Sequence, residues 1–194
     1  MFGLDLRTLA VFRVVMASLT LIDLFNRAPD IEAFYTDFGV LPRAAFLGAT
    51  ANENLLSFHM LGGTTFAMAL LFLVHAFVAA SLLVGWRTRL MSILAWAFTV
   101  SLHGRNPYVL QGGDVLFRML YFWAMFLPLG ARWSVDAGLA LRKGSAAVGP
   151  DPRRPNQVFS AGTVALILQA CFVYWFTMAL KTGKEWWQDY TAVH

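Results

Sequence analysis

The chain has 194 residues, 58% hydrophobic and 13% charged, with a mean hydropathy of +0.59. A soluble domain carries about 25% charged residues, so this chain lacks the polar surface to face water on all sides, and the remainder must face lipid. The net charge of +4 and pI near 9.6 do not point to nucleic acid, because the basic residues sit in loops between apolar runs, where orientation in a membrane accounts for them. The single cysteine, Cys171, excludes an internal disulfide and a multi-cysteine metal cluster.

In chain order, five segments approach the roughly 20 mainly apolar residues that one bilayer-crossing helix requires. The first, residues 9–25, holds Arg13 and Asp23 and has no small-residue cleavage pattern, so it reads as a retained helix and not a cleaved signal. The second, 64–84, is interrupted only by His75; residues 52–63 before it read as an interfacial lead-in broken at Gly62 and Gly63. The third, 90–102, completes a span only by using Arg87, Arg89 and His103 as interfacial ends. The fourth, 115–131, contains Arg118, and the fifth, 159–180, is uncharged. The expected fold is an all-α, polytopic bundle of about five spanning helices, in one domain over residues 1–194.

Loop charge sets the orientation. With the N-terminus in the cytoplasm, Arg7, Arg87, Arg89, Arg132, Arg142, Lys143, Arg153 and Arg154 stay inside. The other side receives Arg27, Arg43, Arg105, Lys181 and Lys184 together with most of the acidic residues. The positive-inside bias therefore predicts a cytoplasmic N-terminus. The Pro- and Gly-rich stretch 144–156 reads as a cytoplasmic linker.

An ionisable group at membrane depth costs roughly 2.5–3.5 kcal/mol on insertion scales, so each needs a partner or a purpose. Arg13 and Asp23 are too far apart to pair on one helix and must look elsewhere, Asp23 reaching the interface near its helix end. Asp114 and Arg118 have i,i+4 spacing at a helix start, so they form either a structural clamp or a polar wall of a substrate pocket. His75 has no second ligand at i±3 or i±4 and reads as a hydrogen-bonded core histidine more readily than a proton relay. His59 and His103 fall near predicted span ends, at the interface, and His194 is terminal, so no zinc or haem constellation is expected. Lys181 follows 22 uncharged residues. It is either a snorkelling anchor or an amine whose charged form is disfavoured by partial desolvation, and so a base at neutral pH.

Several segments together resemble a known family. Asn106-Pro107-Tyr108-Val109-Leu110-Gln111-Gly112-Gly113-Asp114-Val115-Leu116-Phe117-Arg118 looks like the signature of the HTTM family, membrane domains related to vitamin K-dependent gamma-carboxylase. Agreement extends to Gly39-Val40-Leu41-Pro42-Arg43, Phe126-Leu127-Pro128-Leu129-Gly130, Trp133-Ser134-Val135-Asp136, and Tyr174-Trp175-Phe176 leading to Lys181 and Trp186. The resemblance spans nearly the whole chain.

It implies a helical bundle with a cytosolic N-terminus and a reactive pocket toward the opposite face. In the carboxylase, a lysine after the fifth span deprotonates reduced vitamin K; the oxygenated quinol then removes a proton from glutamate, and carbon dioxide adds. Lys181 matches that lysine and is the expected catalytic base. A quinone or quinol is the implied cofactor, with Arg118, Asp114, Trp133 and His75 as candidates for holding it, and no metal is expected. Two departures stand out. Ala131 replaces a carboxylase histidine two residues before the Trp-Ser-Val-Asp match. The chain also stops soon after Lys181, where members continue with further hydrophobic segments, so it reads as a fragment or short form.

These features set an enzyme with a lysine base beside a non-catalytic membrane subunit that partners a membrane protein or a secreted peptide, as some bacterial relatives do. A transporter lined by Arg13, Asp23, His75 and Arg118 is the third reading, against which stands the lack of repeat symmetry. The implied location is the bacterial inner membrane, as a multi-pass protein in contact with the bilayer and not with nucleic acid.

Overall fold

A computed structural model describes residues 3–49, 57–144 and 156–187. The interior of the expected linker with Arg153 and Arg154, the start of the lead-in before Ser57, and His194 lie outside those residues.

A two-residue strand β1 (Leu4–Asp5) opens the chain. It pairs antiparallel with a strand far along the sequence, β2 (Gln157–Val158), in the register Leu4↔Val158 and Asp5↔Gln157. The Asp5 side chain then accepts from the Arg7 N–H and caps α1 (Leu6–Arg27), whose 22 residues rise about 33 Å. A turn over Ala28–Asp30 leads to α2 (Ile31–Tyr35) and, past a loop, to α3 (Arg43–Ala49). α4 (Thr65–Val84) starts on the Thr64 hydroxyl and stops at Gly85, whose φ of +76° is the left-handed conformation that glycine adopts without strain. The chain reverses there into α5 (Thr88–Arg105).

After a turn at Pro107–Val109 comes α6 (Gly112–Ala124), closed at its start by a capping box between Gln111 and Asp114. An irregular stretch follows, then α7 (Val135–Arg142), capped by Ser134. α8 (Ala161–Ala179), capped by Ser160, and a short α9 (Lys184–Trp187) complete the described residues.

The chain is mostly helical, and among the described residues three helical stretches are long and apolar enough to cross a membrane: Leu6–Tyr35, Thr65–Val84 and Ala161–Ala179. The other two expected spans differ from expectation. The predicted fourth, 115–131, is helical only to Ala124, because Pro128 cannot continue a helix and the backbone bends from Met125 onward. At 13 residues α6 rises about 20 Å, short of a hydrocarbon core of about 30 Å. α5 has the length but not the apolarity. It buries Ser92, Thr99, Ser101, His103 and Arg105 on the face turned to its neighbours.

α1 packs on α4, α4 on α5, α5 on α6, and α6 on α8. Three apolar clusters stack along the bundle. One surrounds Leu6, Leu9 and Leu129 at the ribbon end, one surrounds Met16, Leu82 and Tyr121 in the middle, and one surrounds Leu24, Tyr35, Phe72 and Leu102 at the opposite end. Mid-bundle, the Thr20 and Tyr121 hydroxyls bond to each other and to the Met16 carbonyl, tying α1 to α6 without a charge. Outward faces are apolar, as in Ile22, Phe66, Leu73 and Phe77, which suits lipid and not water. Of the three long apolar stretches α8 is the least covered, with only Gly162 and Thr163 buried.

Candidate functional site

Chain direction sorts the polar residues into two ends. β1, the turn between α4 and α5, the stretch after α6 and the start of α8 lie together at the ribbon end. The ends of α1 and α5 and the starts of α4 and α6 form the other end, toward which α8 runs.

At the ribbon end, Arg13 is buried and donates to two backbone carbonyls, Leu129 O at 3.1 Å and Trp133 O at 2.7 Å. It thus satisfies the irregular stretch after α6, which has no helix to do so. Trp133 contributes its backbone carbonyl to this contact; its own φ is +50° and its ring is exposed. Asp136 accepts from the Arg87 and Thr88 N–H groups and the Thr88 hydroxyl, and so caps α5 from across the sequence. Burial raises the proton affinity of this carboxyl, but the bonds from Thr88 and Arg87 outweigh it and hold Asp136 below the usual carboxylate range. Ala131, standing where the resemblance has histidine, lines the cavity beside Asp136 and Ser160. It is separated from Lys181 by the length of α8, whose 19 residues rise about 28 Å. A histidine at that position would therefore not reach the lysine.

At the opposite end, Arg27 joins three elements. Its Nε donates to Asp23 at 2.7 Å, Nη1 to the Tyr35 hydroxyl at 2.9 Å, and Nη2 to Asp114 at 3.2 Å. Asp114 also accepts from the Gln111 N–H at 2.7 Å and lies 3.7 Å from His103 Nε2. The expected Asp114–Arg118 pair is not formed. Asp114 takes its cation from α1 instead, and Arg118 has no ion-pair partner among the described residues. Asp23, which cannot reach Arg13, has its partner in Arg27 one turn further along α1, near the helix end.

A second clamp lies alongside. Arg43 donates four bonds to Asp37, one of them from its backbone N–H, and one to the Met60 carbonyl. Arg105, fully buried, reaches the Thr36 and Leu41 carbonyls. The Arg43 bonds hold the Asp37 carboxyl below its usual value of 3.8.

The histidines are interior, a second correction for His59 and His103. His59 is buried with Nδ1 2.7 Å from the Ser101 hydroxyl, and His103 is buried beside Asp114. His75 is the core histidine the sequence suggests. It stacks on Phe98 at 5.5 Å, with Nε2 3.5 Å from the Thr99 hydroxyl. Among the described residues, no three His, Cys, Asp or Glu side chains are arranged to hold a metal ion.

Lys181 stands just beyond α8. A cavity of about 620 Å³ opens beside it, lined by Tyr174, Trp175, Met178, Ala179 and Thr182, and a smaller one of about 250 Å³ lies between it, Thr177 and Trp186. The Lys181 Nζ sits 4.2 Å over the Trp186 ring, a cation–π contact that the five-residue spacing allows. Neither cavity is lined by Asp114, Arg118, His75 or Trp133. Of the residues singled out in the sequence, Asp114 and Lys181 share an end of the bundle, His75 is central, and Trp133 is at the far end.

No family model, no curated protein and no solved structure matches the chain.

Proposed function

We propose that this chain is a multi-pass inner-membrane protein of the HTTM, gamma-carboxylase-like kind, with five crossing helices and a cytoplasmic N-terminus, in which Lys181 acts as a base on a quinol-like, lipid-soluble substrate. The observation that carries the reading is the 620 Å³ cavity whose walls are apolar and aromatic except at Lys181 and Thr182. A site of this kind suits a flat apolar molecule with a polar edge. Because α8 is exposed along most of its length, the substrate would reach the cavity laterally from the bilayer.

The chemistry asked of the chain is one proton transfer. An O–H bond of the substrate breaks, an N–H bond forms at Lys181 Nζ, and the electron pair stays on oxygen. The Trp186 face attracts the ammonium so formed. Orientation draws on the ribbon end, where Arg7, Arg87, Arg89, Arg132, Arg142 and Lys143 collect. α5 and α6 complete five spans if the stretch after Ala124 extends α6 to the interface.

The test is turnover of a reduced naphthoquinone in proteoliposomes. Lys181→Ala lowers kcat by about 100-fold or more, the usual contribution of a general base, with melting unchanged. An unaltered kcat refutes the reading. One observation favours the alternative of a non-catalytic subunit or maturation and export partner: the exposed aromatic run Tyr174, Trp175 and Phe176 on α8. That reading predicts a stable co-purifying membrane protein or secreted peptide in mild detergent; isolation of the lone chain counts against it.

A further inference from the structure

A second cavity of about 620 Å³ lies at the ribbon end, one α8 length from Lys181. Its wall is apolar, formed by the stretch after α6 that includes Phe126, Leu127 and Leu129, and its polar edge is Thr88, Arg89, Asp136 and Ser160. Asp136 does not neutralise Arg89. Its carboxylate is taken up by the Arg87 and Thr88 N–H groups and the Thr88 hydroxyl. Arg89 itself has no hydrogen-bond or ion-pair partner among the described residues, and its side chain is exposed.

The surroundings share its sign. Arg7, Arg87, Arg132, Arg142 and Lys143 lie at this end, against Asp5 and Asp136 among the described acidic residues. Trp86 and Trp133 are exposed here too, the placement of aromatics at headgroup level. A basic pocket with an apolar wall at this depth has two requirements of a ligand: an anionic group for Arg89, and acyl chain for the exposed ring of Phe126. Basic pockets between membrane helices recognise anionic lipid headgroups by these means.

We propose that this cavity is a binding site for an anionic phospholipid, its phosphate on Arg89 and an acyl chain along Phe126 and Leu127. The inference rests on the membrane reading above but not on Lys181 chemistry.

Native mass spectrometry of the full chain, released from nanodiscs of mixed phosphatidylglycerol and phosphatidylcholine, tests it. Phosphatidylglycerol should be retained over phosphatidylcholine by about fivefold, the gain expected from one well-placed cation. Arg89→Ala should erase that preference, while Phe126→Ala should weaken retention of both lipids. Both positions are exposed, so melting serves as the control for folding. Glycerol 3-phosphate should fail to displace the lipid. Equal retention of the two lipids, or an undiminished preference in Arg89→Ala, overturns the proposal. Displacement by glycerol 3-phosphate also overturns it, by assigning the site to a soluble anion. Failure of the chain to enter nanodiscs overturns the membrane reading and this inference together, whereas an unaltered kcat in Lys181→Ala with the lipid preference intact overturns only the catalytic reading.

Discussion

Arg27→Leu should be among the most damaging single changes at the polar end of the bundle. The guanidinium serves Asp23, Tyr35 and Asp114 from three elements at once. Leucine removes one donor from each of two carboxylates and a hydroxyl, and Asp114 keeps only the Gln111 N–H and the nearby His103. Breaking a buried ion pair costs about 3–5 kcal/mol, and an exposed one about 0.2–1 kcal/mol. The Asp114 side chain is 17% exposed and Asp23 35%, so the first contact belongs nearer the buried limit and the second nearer the surface limit. The sum is about 3 kcal/mol. For a chain of this size each kcal/mol moves the midpoint by about 2–4 °C, giving a fall of roughly 6–12 °C. Arg27→Lys keeps the charge but loses the three-way fork and should recover less than half of that. Thermal melting in a mild detergent reads both variants. In a double-mutant cycle, Asp114→Asn combined with Arg27→Leu should show coupling of about 1.5–3 kcal/mol. A midpoint within about 2 °C of the parent chain, or no coupling to Asp114, refutes the assignment of Arg27 as the joint between α1 and α6.

Two further outcomes follow. Asp37 is held below its usual value of 3.8 by Arg43, a depressed carboxyl, so its stabilisation is present above about pH 4 and lost as pH falls below it. Proteolysis of the 36–43 loop should therefore accelerate under acid in the parent chain, and Asp37→Asn should be already accelerated near neutrality and flat below pH 4; a parent profile with no acid limb contradicts this. For topology, in a Cys171→Ala background, a cysteine at Ser134 should react with a membrane-impermeant maleimide only after permeabilisation, and one at Phe38 should react in intact cells. The reverse pattern contradicts a cytoplasmic N-terminus, and labelling of both sites from one side contradicts the five-span count.

Much of the fold was legible because long apolar runs have few alternatives. Residues 64–84 and 159–180 became helices nearly at the expected bounds, Thr65–Val84 and Ala161–Ala179. The fourth run misled because apolarity continues through Pro128 while the helix does not. Hydropathy reports solvent preference, and the backbone break came from a missing N–H.

Among the charges, local spacing was a poor guide to partners. Asp114 and Arg118 stand one turn apart, yet an arginine 87 positions away reaches Asp114, because the long Arg27 side chain at the end of α1 extends across to the start of α6. The Asp23–Arg27 pair was readable from its i,i+4 spacing, but the first span ended in the expectation at Phe25, before Arg27. His59 and His103 seemed interfacial by position and proved buried, since burial depends on which neighbours cover a helix end. The ribbon between residues 4–5 and 157–158 is too short to leave any periodic signal.

The central claim is that a quinone-like molecule enters the cavity beside Lys181. A photoactivatable naphthoquinone irradiated with the chain in lipid nanodiscs, followed by peptide mapping, tests it most directly. Labelling should concentrate on residues 174–182, compete away with unlabelled quinone, and fall when Trp175 is replaced by alanine. Labelling spread evenly along the lipid-facing helices, or indifferent to competitor, would contradict the account.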